Sequence, residues 1–162
     1  MRRTRVLVVD GETMYRESIC AVLSDRQDIE IVGRATSMND LIQMARECRP
    51  HVVLLEPGAD ETGLEWVAGL FDGQSPPLKV LLVSQYEDEA HVLGGLLSGC
   101  QGYIPKRANA SELVSAIQAL RRGGYYLYPS AAKIVINECV SRSRGMQTDS
   151  RKEVYPNGRK RV

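Results

Sequence analysis

Two hydrophobic patterns alternate five times along this chain, and that alternation limits its fold more than any other feature. Short apolar runs rich in β-branched residues, at 5–9, 29–35, 51–55, 79–83 and 102–105, are separated by segments in which apolar residues recur with helical period. Runs this short and this continuously apolar suit strands buried on both faces, and the intervening helices supply the two covering layers. The pattern predicts an α/β domain: a five-stranded parallel sheet, doubly wound, in three layers. Tyr15, Ile19, Val22 and Leu23 form one helical stripe, and Leu41, Met44, Ala45 and Cys48 form another. Ser37 marks the start of the second helix, Asn109 with Glu112 reads as a capping box for the fifth, and Gly123-Gly124 stops it. Glu87, Asp88 and Glu89 belong in the first turn of the fourth helix, where the helix dipole favours acids. Gly94-Gly95 in its middle costs up to about 1 kcal/mol per glycine, so this helix is expected to be the loosest.

The five strand-helix units end near Arg122, which leaves a remainder of the 162 residues. Residues 125–128 read as an aromatic connector, and Ser130 as the cap of a sixth helix running to about Ser143, apolar around much of its circumference through Ala131, Ile134, Val135, Ile136 and Val140. A helix that apolar must pack on the body or on a partner. The expected division is 1–125 for the domain, 126–144 for connector and sixth helix, and 145–162 for a basic, disordered tail. The formal net charge of +1 conceals an asymmetry, because residues 141–162 carry seven Lys/Arg against Asp149 and Glu153 while the rest is acidic. No apolar run approaches the roughly 20 residues of a spanning helix, and the N-terminus lacks the apolar stretch of a signal peptide. Cys20, Cys48, Cys100 and Cys139 are scattered without C-x-x-C spacing, as in a reduced, cytoplasmic protein with no disulfide framework.

In an open parallel sheet, ligands collect at the carboxyl ends of the strands. The residues leaving those ends are Asp10, Gly11 and Glu12, then Glu56, then Ser84, then Lys106. With Val-Leu-Val-Val-Asp at 6–10, Val-Val-Leu-Leu-Glu at 52–56, Leu-Leu-Val-Ser at 81–84 and Gly-Tyr-x-x-Lys at 102–106, the chain resembles the receiver domain of two-component response regulators. The resemblance covers about residues 4–122, in the branch that usually carries a helix-turn-helix output domain. It implies a flavodoxin-like fold. It also implies an acidic pair holding Mg²⁺ after the first strand, a phosphate-accepting Asp after the third, a hydroxyl after the fourth and a Lys after the fifth. Asp10, Ser84 and Lys106 match this pattern, and Tyr103 stands where the family has a switch aromatic.

Two positions depart from the pattern. Gly11 replaces the second acid, and Glu56 stands at the phosphate-acceptor position. Mg²⁺ demands near-octahedral oxygen coordination, so loss of an acid weakens or abolishes its site. Glu12 is expected to point the other way along an extended exit. Glu56 is longer than Asp by about 1.5 Å, and misplacement by about 1 Å can cost about 100-fold in rate. Pro57-Gly58 and an early Gly63 alter the following loop as well. The expectation is a pseudo-receiver: not an enzyme, without cofactor, with Asp10, Glu12 and Glu56 as a vestigial acidic pocket. Glu56 is expected to pair with Lys106 and reach toward Ser84, partly imitating a phosphorylated Asp. Such a protein works in signalling or transcription regulation through a partner or homodimer, using the fourth helix, fifth strand, fifth helix and possibly the sixth. The alternatives are a conventional phosphorylatable regulator, and a DNA-associated regulator making weak nucleic-acid contact through residues 141–162.

Other reactive side chains carry less. His51 and His91 have no partner at metal-ligand spacing and read as structural or solvated. Cys100 lacks a base placed by sequence, and the glycines form neither G-x-G-x-x-G nor a P-loop.

Overall fold

A computed structural model describes residues 2–58 and 77–152, with side chains through residue 146. Six strands form one sheet: β1 (Thr4–Val9), β2 (Ile29–Ala35), β3 (Val52–Leu55), β4 (Lys79–Ser84), β5 (Gly102–Pro105) and β6 (Tyr126–Leu127). Their order is β2-β1-β3-β4-β5-β6, and every pair is parallel. The helices, numbered among the described residues, are α1 (Thr13–Ser24), α2 (Met38–Cys48), α3 (Glu89–Leu97), α4 (Ala110–Arg121) and α5 (Pro129–Lys152). These α3, α4 and α5 are the fourth, fifth and sixth helices expected from the sequence. A helix of the third unit, with Gly63, falls at 59–76, outside the described residues, as do tail residues 153–162.

Strand alternation divides the core into two layers. Leu7, Val9, Val53, Leu55, Val80 and Leu82 face α2, α3 and the start of α5, while Val6, Val8, Val52, Leu54, Leu81 and Val83 face α1 and α4. Helix ends follow the local chemistry. Ser37, Asp88 and Asn109 cap α2, α3 and α4, and Asn109 and Glu112 complete a reciprocal capping box. Gly123, at φ +85°, turns the chain after α4 in a conformation that favours glycine.

The sheet has a sixth strand beyond the five expected. The aromatic connector pairs with β5, Gly102 against Tyr126 and Tyr103 against Leu127. Gly102 permits this approach, since a Cβ there would lie 2.7 Å from Leu81 Cδ1 and 3.0 Å from Tyr126 O. Val22 leaves the expected stripe of α1 and is 42% exposed, whereas Cys20 is buried in its place. Glu87 lies before α3, not in its first turn. Ser130 is the second residue of α5, not its cap, because Pro129 takes the first helical position, where its missing N–H is harmless. The same helix runs to Lys152, past Ser143 and through the start of the segment expected to be disordered. Extending an established helix adds one hydrogen bond per residue fixed, and one interior glycine, Gly145, costs only about 1 kcal/mol. Among the described residues no helix is long and apolar enough to cross a membrane.

Candidate functional site

Register places the pocket. Val9 of β1 pairs with Leu55 of β3, and Glu56 N donates to Val9 O at 3.0 Å, so Asp10 and Glu56 leave adjacent strands side by side. Ser84 pairs with Pro105 and Lys106 N donates to Ser84 O at 2.9 Å, which brings Lys106 to the same edge. This edge is the topological switch point, where the chain has run outward to β2 and crosses back to β3. An open cleft of about 610 Å³ lies there, walled by Asp10, Gly11, Glu12, Glu56, Tyr86 and Lys106 among others.

The Lys106 ammonium is the hub. Its Nζ lies 2.9 Å from Asp10 Oδ2, 3.1 Å from Glu12 Oε2 and 3.8 Å from Glu56 Oε2. It also sits 4.4 Å from the centre of the Tyr15 ring, a cation–π contact. Burial alone pulls the Lys106 pKa down, but hydrogen bonds from its ammonium to Asp10 and Glu12, with the nearby negative charge, raise it overall. Tyr15 is pushed well above the ordinary phenol range, by burial first and then by Asp10, Glu56 and Glu12.

Two expectations about the acids change. Glu12 does not point away: its backbone N–H donates to Asp10 Oδ1 at 2.7 Å, which curls the chain into the N-cap of α1 and turns the carboxylate back onto Lys106. The Glu56–Lys106 approach exists but is the longest of the three, and Glu56 Oε2 is buried without a hydrogen-bond partner. The Glu56 pKa rises to about 7, chiefly through burial, with Asp10 and Glu12 adding and Lys106 and the Gln85 N–H opposing. Nor is Ser84 Oγ bonded to Glu56; it accepts from Tyr86 N at 3.0 Å. Tyr103 is 1% exposed and turned inward, its hydroxyl facing Ser84 without a hydrogen bond of normal geometry.

The donor set does not fit the Mg²⁺ that the resemblance implies. Position 11 supplies no carboxylate, although a Cβ there would meet only Thr36 O at 3.6 Å, so sterics do not exclude an acid. Both oxygens of Asp10 are engaged, one by the Glu12 N–H and the other by Lys106. Among the described residues no three carboxylate, imidazole or thiol groups converge closely enough to hold a metal.

The order Asp10, Glu56, Ser84, Lys106 along one sheet edge points to one family, and the sequence profile of the response regulator receiver domain matches residues 6–118. The chain belongs to that family. GacA of Pseudomonas aeruginosa is 34% identical to this receiver over 132 residues, 80% of this chain and 60% of that one. DegU of Brevibacillus brevis is 25% identical over 137 residues, 84% and 58% of the two chains. This receiver thus spans about three fifths of the length of the curated relatives it matches. The receiver domain of NarL from Mycobacterium tuberculosis superposes with a TM-score of 0.66 at 27% identity, over 76% of this chain and 99% of that one. A LuxR-family regulator from Aurantimonas sp. SI85-9A1 has the same fold, with a TM-score of 0.75 at 24% identity, over 85% and 99%.

Two features of the site escaped the sequence. Tyr15 reads there only as the first member of an apolar stripe, and its position three residues after Glu12 is the sole hint that it reaches Lys106. Behind the pocket, Arg107 donates through Nε and Nη2 to both oxygens of Glu87, at 2.8 and 2.6 Å, and Ser130 Oγ donates to the same carboxylate at 2.9 Å. Residues next to Lys106 and just past Ser84 are thereby tied to the first turn of α5. The histidines are structural: His51 Nδ1 accepts from Arg5 N, and His91 bonds Asp88 and stacks on Tyr86.

Proposed function

We propose that this receiver is a pseudo-receiver, a signalling module in transcription regulation whose pocket is preset by fixed charges and does not depend on phosphorylation. One observation carries the reading: the Lys106 ammonium occupies Asp10, so the carboxylate a phosphoryl-transfer cation would need is already neutralised. Phosphoryl transfer rests on in-line positioning and on metal neutralisation of the phosphoryl oxygens. With Gly11 and Glu56 in place, neither is supplied, and the protein takes no cofactor and acts as no enzyme. Tyr103 buried beside Ser84 supports a single held arrangement of the β4–α3 region. The output is protein contact in the cytoplasm, through a homodimer or partner on α3, β5 and α4, extended by α5, which packs on α3.

The test is incubation of the full chain with acetyl phosphate and Mg²⁺, followed by intact mass. No phosphoryl adduct is expected; a stoichiometric adduct overturns the reading and restores the conventional regulator. A double variant, Gly11→Asp with Glu56→Asp, is expected to gain Mg²⁺-dependent labelling, since the backbone at Gly11 has room for the acid.

A further inference from the structure

A second charged surface lies at the opposite end of the sheet. Because all six strands run parallel, every strand begins at that end, and α1, α2 and α4 finish there. Arg2 and Arg3 precede β1, Arg49 follows α2, Lys79 opens β4, and Arg121 and Arg122 close α4. None of these six is in an ion pair among the described residues. Those at helix ends also favour the helix dipole, but Arg2, Arg3 and Lys79 stand at strand starts, where no dipole needs them. The acids near this end are displaced or committed. Asp28 is held by Arg26 at 3.0 Å, while Glu30 and Glu47 belong to β2 and α2, on the β2 side of the sheet.

Between the starts of β3 and β4 this surface opens into a crevice of about 110 Å³, lined by Pro50, His51, Pro77, Lys79, Arg121 and Gly123. No carboxylate lines it. Arg5 N donates to His51 Nδ1 at 3.0 Å, and an amide can only donate, so in the neutral ring Nε2 carries the hydrogen. Burial, then Arg121, Arg5 and Arg2, push the His51 pKa below its ordinary value, which keeps the ring a neutral N–H donor. The crevice therefore offers an ammonium, a guanidinium and an imidazole N–H from three different segments.

We infer that this end of the domain binds the phosphodiester backbone of nucleic acid, with one phosphate in the crevice between His51, Lys79 and Arg121 and its neighbours on the surrounding arginines. A polymer fits better than a small phosphate because the unpaired cations extend well beyond the crevice, from the start of β1 to the end of α4. Contacts of this kind read charge, not bases, and release counterions on binding. The site is separate from the acidic pocket and holds whether or not that pocket is phosphorylated.

The test uses the full chain with a fluorescent mixed-sequence DNA duplex, measuring anisotropy across a salt series. Wild type is expected to bind at low salt irrespective of sequence. Lys79→Ala with Arg121→Ala is expected to flatten the slope of log affinity against log salt by about 2, one unit per lost phosphate contact, with an unchanged melting profile. Neutralising Arg159, Lys160 and Arg161 to alanine is expected to leave that loss intact. An unchanged slope in the Lys79/Arg121 variant overturns the proposal, as does absence of binding at low salt. Displacement of the DNA by equimolar nucleoside triphosphate overturns the assignment to a polymer.

Discussion

Glu56 allows the most direct test of the pocket's electrostatics, because its carboxyl is raised from 4.5 to about 7 by burial that Lys106, 3.8 Å away, does not offset. A folded-state acid with a raised pKa holds a proton that the unfolded chain has released. Stability is then highest near the unfolded pKa and falls as pH rises from about 4.5 to about 7. The full shift corresponds to about 3 kcal/mol; solvent entering the open cleft screens part of it, leaving about 1–2 kcal/mol. Glu56→Gln keeps the shape and removes the titration. It is expected to match wild type at pH 5 and to exceed it at pH 8 by about 1–2 kcal/mol, or about 3–6 °C in melting temperature for a domain of this size. Melting followed by circular dichroism from pH 5 to 9 measures the difference between the two proteins, which cancels every other titrating group. A flat difference refutes the reasoning. So does a glutamine variant less stable at pH 8, which would mean that attraction to Lys106 outweighs burial.

Lys106→Met is expected to destabilise the domain by about 3 kcal/mol at pH 7, because Asp10, 3% exposed, loses the charge that compensates it; urea unfolding measures this, and recovery below pH 4 marks the cause as electrostatic. Tyr103→Phe removes a buried hydroxyl that forms no hydrogen bond of normal geometry, so stability is expected to stay level or rise by about 1 kcal/mol in the same assay, and a loss would reveal a bond to Ser84. Glu87→Ala leaves Arg107 and Ser130 without their shared acceptor, and faster amide exchange is expected in the first turns of α5, with β1 and β3 unaffected.

Periodicity made the α/β layout legible. Strands at 29–35 and 102–105 and the Asn109–Glu112 capping box stand where the apolar runs and turn residues put them, because each depends on neighbours a few residues away. The residues leaving the strand ends were legible for the same reason, and the ends of a parallel sheet must gather. Less visible was anything set by the angle between elements. β6 is two residues long and pairs only because Gly102 admits Tyr126, and α5 outlasts its apolar stretch because helix already formed extends cheaply.

By itself the sequence determined which charges meet at the carboxyl edge, and that Gly11 and Glu56 break the receiver pattern. Tertiary structure alone decided how those charges divide Lys106. The turn made by the Glu12 N–H on Asp10 brings Glu12 to 3.1 Å, the first turn of α1 lays Tyr15 against the ammonium, and Glu56 is left at 3.8 Å with an unbonded oxygen. The physical reason is one of scale. Hydrophobic period fixes which face of an element is buried, whereas an ion pair depends on differences of less than an ångström between side chains from separate strands and loops, which only the assembled sheet sets.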